Sequence, residues 1–134
     1  MDMIRLVDTA FQARRRAHAP YSGFAVGAAL LTKSKKIFTG CNVENLSLGL
    51  TMCAERSAVA AAVANGEKEF IAIAVVADSA EPPLPCGACR QVLAEFNPDL
   101  KIIASTAGRI VEELILSDLL PRPKQGILEA FKDV

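Results

Sequence analysis

The stretch CAERSAVAAAVANGEKEFIAIAVVA, residues 53–77, decides the architecture. Alanine at 54, 58, 60, 61, 62 and 64 gives Cys53 to Asn65 a strong helix propensity, and Gly66 is suited to close that helix. Only Glu55, Arg56 and Ser57 interrupt its apolarity. Such a helix is expected to be buried nearly all round, against its own sheet on one side and another subunit on the other. Phe70 to Ala77 follows as a continuous apolar, β-branched run, the pattern of a strand covered on both faces. Helix then buried strand implies an α/β domain.

The flanks extend this pattern. Ile4, Val7, Ala10, Phe11, Ala13 and Ala17 recur at spacings of three and four, which predicts an amphipathic helix over 2–17, ended by Pro20. Phe24 to Thr32 and Lys36 to Cys41 read as a hairpin around Lys33, Ser34 and Lys35, and Asn42 to Leu50 as a loop. Downstream, 78–85 is loop, Gly87 to Phe96 a second short helix and Leu100 to Ser105 another strand. Thr106, Ala107 and Gly108 leave only a tight connection before Arg109 to Ile115. A parallel neighbour needs a crossover of about a dozen residues or more, so the last strand must run antiparallel. Ser117 to Leu120 suggests a helical turn. Residues 1–134 are read as one domain.

Two clusters carry the chemistry: Cys53-Ala54-Glu55, and Pro85-Cys86-Gly87-Ala88-Cys89, each at a helix start. Zinc is commonly four-coordinate, so three cysteine thiolates leave one corner for water or substrate, whereas a fourth ligand would close the site and make it structural. Glu55 is placed to move protons beside that corner. First-turn N–H groups and the positive ends of two helices favour thiolate over thiol. Three thiolates around a dication nonetheless sum to minus one, which weakens the metal's pull on water. Arg56, adjacent to Glu55, can offset this by donating to ligand sulfurs, since a hydrogen bond to a charged acceptor contributes about 1.5–3 kcal/mol. Cys41 lacks a C-x-x-C partner and is expected to be a small buried thiol. His18 lies in another segment and is not expected to be a ligand.

Composition narrows the partners. Fifteen Lys and Arg balance fifteen Asp and Glu, and six Phe with one Tyr offer few stacking platforms, so a nucleic-acid strand is not the expected substrate. The basic trio Arg14 to Arg16 reads as a solvated face that complements a helix end. Four cysteines in a chain of 134 residues are not needed as disulfide staples. No apolar run has signal-peptide or membrane-spanning length, so a cytoplasmic location and no membrane partner are expected.

Four ordered segments carry a resemblance: PYSGFAVGAAL at 20–30, GCNVEN at 40–45, GLTMCAER at 49–56 and PCGACRQVL at 85–93. Together with the Cys-Ala-Glu and Pro-Cys-x-x-Cys signature of zinc nucleobase deaminases, they resemble the small homotetrameric cytidine deaminases. The resemblance implies a three-layer α/β/α fold with a mixed five-stranded sheet, and the antiparallel last strand agrees with this branch rather than with relatives that insert a helix there. It implies Zn²⁺ on Cys53, Cys86 and Cys89, with Glu55 as catalytic acid and base. It further implies Phe24 on the base, Asn42 and Glu44 on the ribose hydroxyls, and the Ala54 backbone on the base edge. The implied activity is hydrolysis of cytidine and deoxycytidine to uridine and deoxyuridine with release of ammonia, in pyrimidine salvage, by a homotetramer using a free nucleoside and water. The alternatives are deamination of another cytosine compound such as blasticidin S or a modified nucleoside, and a thiol redox protein using Cys86 and Cys89, which leaves Cys53 and Glu55 without a task. Leu48 stands where many relatives have Tyr, and only Phe131 is available as the C-terminal aromatic that in the family helps close a neighbour's site.

Overall fold

The computed structural model describes residues 2–124, so Phe131 lies outside the described residues. Helix α1 spans Met3–Ala13, strands β1 and β2 Val26–Thr32 and Ile37–Cys41, and helix α2 Ala54–Ala64. Strand β3 (Phe70–Ala77), helix α3 (Gly87–Phe96), strands β4 (Lys101–Thr106) and β5 (Val111–Ile115) and the short helix α4 (Leu116–Leu119) complete it. The sheet order is β2-β1-β3-β4-β5. Only β3 and β4 run parallel; the other neighbours, β4 and β5 included, are antiparallel. The mixed five-stranded sheet with an antiparallel last strand is therefore as the sequence predicts.

Side-chain alternation along the strands divides the core into two layers. Ala28, Leu30, Ile73, Val75 and Ile102 face α2 and α3, where they meet Ala58, Val59, Ala62, Leu93 and Ala94. Ala29, Leu31, Ala72, Ala74, Val76 and Ile103 face α1 and pack on Leu6, Val7 and Ala10. Strand β3 is buried at every position except Ile71, as a strand covered on both sides must be. Complete burial of each larger aliphatic side chain in these layers contributes roughly 1.5–3 kcal/mol.

Two expectations are modified. The first helix stops at Ala13 and tightens into a 3₁₀ turn over Arg14–Arg16. This is a common way for an α-helix to end. The arginine trio is also split: Arg15 and Arg16 are exposed, but Arg14 is half-buried, pairs with Asp78 and lies over the Phe11 ring. Helix α2 buries Ala54, Glu55, Ala58, Val59 and Ala62, and its exposed Ala60 and Ala64 lie on the side that the sequence reading assigns to another subunit. Among the described residues, no helix is long and apolar enough to cross a membrane.

Close approach of backbone to backbone seats the two layers. A Cβ on Gly40 would fall inside the contact radius of the Ala54 carbonyl oxygen and the Ala58 nitrogen, and one on Gly27 would meet Ala10 and Arg14 in the same way. Gly49, by contrast, has open space beside it. Urea unfolding should show Gly40→Ala destabilised by about 1–3 kcal/mol, and Gly49→Ala within about 0.5 kcal/mol of the parent. Equal stability of the two variants would refute the seating role.

Candidate metal and substrate site

The loop before α2 is less irregular than its polar sequence suggests. Val43 and Met52 exchange backbone hydrogen bonds of 2.9 Å in each direction, which brings Asn42 and Cys53 to the same place from opposite ends of the loop. Cys53 and Cys86 are the N-cap residues of α2 and α3, both with extended backbone and neither capping its helix through its side chain. The positive ends of both helices thus lie beside the sulfur cluster.

The sulfurs of Cys53, Cys86 and Cys89 all lie within 4.8 Å of one another. Zn–S bonds of about 2.3 Å at tetrahedral angles place sulfurs about 3.8 Å apart, and Cys53 Sγ and Cys86 Sγ are separated by 3.9 Å. Spacing and donor chemistry both fit a zinc ion held by three thiolates. Cys89 is buried, Cys53 half-buried and Cys86 exposed, so the cluster opens to one side.

The three thiols are strongly linked through their protons. The Cys53 thiol is pulled down to about 5, chiefly by the hydrogen bond with Cys89 and then by Arg56 and Cys86. The same contact, with burial and the charge of Glu55, pushes Cys89 upward. A dication replaces these protons when it binds. Arg56 Nη2 lies 3.5 Å from Cys53 Sγ and 3.3 Å from the Thr51 carbonyl oxygen. Its Nε is buried with no partner among the described residues. The guanidinium is held charged, above all by the contact with Cys53. Glu55 is only 5% exposed, and burial pushes its carboxyl above the ordinary range.

A cavity of about 220 Å³ opens in front of the sulfurs, lined by Phe24, Asn42, Cys53, Ala54, Glu55 and Cys86 among others. Phe24 precedes β1 and is 42% exposed, so its ring belongs to the cavity wall rather than the core. Glu44 is absent from that lining. Its carboxylate accepts from the Tyr21 and Ser22 N–H groups at 2.9 and 3.1 Å and from the Ser22 hydroxyl, and the hydroxyl contact is the main reason it ionises below the ordinary carboxylate range. Asn42 is also tied down, its Nδ2 donating to the Phe24 carbonyl at 2.7 Å and its Oδ1 accepting from Val26 N–H at 2.9 Å.

Sequence reasoning did not single out Thr51, Val26, Val75, Pro83 or Leu84, which complete the wall. The PPLP run at 82–85 was the available signal, because consecutive prolines stiffen the approach to Cys86. Cys41 is half-buried rather than buried, and His18 stays outside the sulfur cluster, holding Asn42 and Glu44 through its backbone.

Comparison with known proteins agrees with this geometry. A family model described as the cytidine and deoxycytidylate deaminase zinc-binding region matches residues 2–105. The cytidine deaminase of Halalkalibacterium halodurans is 49% identical over 122 residues, covering 90% of this chain and 92% of that protein. A blasticidin-S deaminase of Bacillus cereus is 33% identical over 104 residues, covering 72% of this chain and 74% of that protein. The crystal structure of the cytidine deaminase from Burkholderia pseudomallei is similar with a TM-score of 0.88 and 48% identity, covering 90% of this chain and 98% of that one. With a thiol trio at zinc spacing and likeness over nine-tenths of its length, the chain belongs to the cytidine and deoxycytidylate deaminase zinc-binding family.

Proposed function

We propose that this chain hydrolyses cytidine and deoxycytidine to uridine and deoxyuridine, releasing ammonia, and does so in the cytoplasm as a homotetramer serving pyrimidine salvage. The observation that carries the activity is the set of three sulfurs at tetrahedral-zinc spacing, beside a cavity that also contains the buried Glu55. The thiolates of Cys53, Cys86 and Cys89 would hold the ion. When bound, zinc supplies Lewis-acid activation of water at neutral pH.

Glu55 takes a proton from that water and delivers it to N3 of the pyrimidine, which makes C4 electrophilic. After water's oxygen has added at C4, the same carboxyl passes a proton to the departing amino group. Burial suits Glu55 to this double duty, because a carboxyl shifted upward is a better base toward water and still acidic enough to return the proton. Phe24 packs on the base, the Ala54 backbone meets its edge, and Asn42 and Glu44 receive the ribose hydroxyls. Arg56 offsets the excess negative charge of three sulfurs.

A second reading, deamination of blasticidin S or a modified cytosine, is favoured by the Bacillus cereus relative. Asn42 and Glu44 favour an intact ribose. A redox role for Cys86 and Cys89 would leave Cys53, Glu55 and Arg56 unexplained. Support for a homotetramer comes from surface that one chain leaves uncovered: Leu46, Leu48 and Leu50 are 79%, 72% and 71% exposed beside the site, and Ala60 and Ala64 of α2 face outward.

Metal analysis of purified protein should give one zinc per chain, and a substrate panel should show ammonia release from cytidine and deoxycytidine that stops on chelation and returns with zinc. Activity on blasticidin S alone would select the second reading, and metal-free protein with full activity would defeat both. Glu55→Ala should keep its zinc while kcat falls about 10²–10⁴-fold; loss of metal with activity would make the carboxylate structural. Arg56→Gln should also keep zinc and lose part of its kcat, an unchanged kcat being the contrary result. Light scattering should give a mass four times that of the chain, and a monomer with full activity would remove the oligomer from the proposal.

A further inference from the structure

Arg90 closes the PCGACR run, and the chemistry above gives it no task. It sits one turn into α3, and its guanidinium folds back toward the helix start. Nε donates to the Pro85 carbonyl at 2.8 Å, and Nη1 donates to the Leu119 carbonyl at 3.3 Å. Pro85 immediately precedes Cys86, and Leu119 is the last residue of α4. One side chain therefore joins the peptide in front of a zinc ligand to the turn that follows β5.

The three sulfurs are not equally well held. Cys89 is fixed by burial inside α3, and Cys53 by the Val43–Met52 pairing and by Arg56. Cys86 is exposed, and its side chain does not cap its helix. The residue before it is a proline, which has no N–H with which to anchor the incoming loop. On the helix side the Cys86 carbonyl already accepts from the Arg90 N–H at 2.9 Å, so the Pro85 carbonyl is the backbone group through which the incoming side can be fixed. A charged donor makes a stronger hydrogen bond than a neutral one, and the rigid guanidinium fork fixes the direction of two carbonyls at once.

We infer that Arg90 is a positioning residue of the zinc site: by tying the Pro85 carbonyl to the Leu119 carbonyl it holds Cys86 in place, and makes metal retention depend on the turn after β5. It acts through Cys86 and contacts neither metal nor substrate. The inference rests on Cys86 being a zinc ligand.

The test is the rate at which zinc-loaded protein releases its metal to a coloured chelator, read alongside thermal unfolding. Arg90→Gln should release zinc about 10–100-fold faster, the scale on which outer partners of ligands affect metal binding. Arg90→Lys keeps a charged donor and should fall between. Gln91→Ala, which removes only the neighbouring 3.1 Å bond from Gln91 Nε2 to the Pro123 carbonyl, should release at the parent rate. Parent-like release from Arg90→Gln, or equal acceleration by Gln91→Ala, overturns the inference. If Arg90→Gln fails to fold, Arg90→Lys against Gln91→Ala decides on the same terms. Cys86→Ser is the reference: no acceleration there overturns the ligand assignment itself, whereas acceleration there with none in the Arg90 variants overturns only the clamp.

Discussion

Chain direction over the central strand pair governs this molecule. Helix α2 returns into β3 through the short connection 65–69, and α3 is the crossover between the parallel strands β3 and β4. Both helices pack on the same sheet face. Each must therefore run against β3, so their N-termini emerge together beyond the strand's carboxyl end, where open α/β sheets form their crevices. A cysteine at each helix start and another one turn into α3 then converge without any special loop. The parallel pair produces the metal site's geometry, and the three antiparallel pairings widen the sheet without disturbing it.

That convergence carries an electrostatic cost. Burial above all pushes Glu55 toward its neutral form, and the hydrogen bond with Cys53 followed by burial does the same to Cys89, with repulsion among the gathered negative groups adding to both. Three agents oppose this: two uncapped helix ends, the Arg56 guanidinium, and zinc when it binds. Metal and protons are thus alternatives at the same sulfurs. Among the described residues Glu55 makes no ion pair, and its burial and raised carboxyl mark it as a functional group.

Much of this was legible because local chemistry and global topology agree. The three-residue connection at 106–108 excluded a crossover and fixed the direction of β5, and the alanine-rich run identified α2. What the sequence concealed depends on contacts distant along the chain. The requirement for Gly40 arises only because β2 crosses α2 at backbone contact. Arg14 reads as one of three solvated arginines until Asp78 and Phe11 are brought beside it. Arg90 reads as a helix surface residue, since nothing local shows that Leu119 will lie within its reach.

Asn42 and Glu44 illustrate how a binding residue can also look structural. Among the described residues, all of their side-chain hydrogen bonds go to the segment 21–26, which by itself suggests turn-fixing polars. Donor and acceptor capacity is not exhausted by them: the Asn42 amide has a second N–H and a second lone pair, and each Glu44 oxygen accepts at more than one position. Side chains already immobilised by the backbone lose little further entropy when a hydroxyl pair arrives, so the bonds that make them appear structural also lower the cost of binding a sugar. The same contacts fix Phe24, whose carbonyl Asn42 holds, and so set the distance between the base wall and the sugar-facing groups. Pocket shape here is a consequence of turn chemistry, which is why residue type alone indicated these positions and not their geometry.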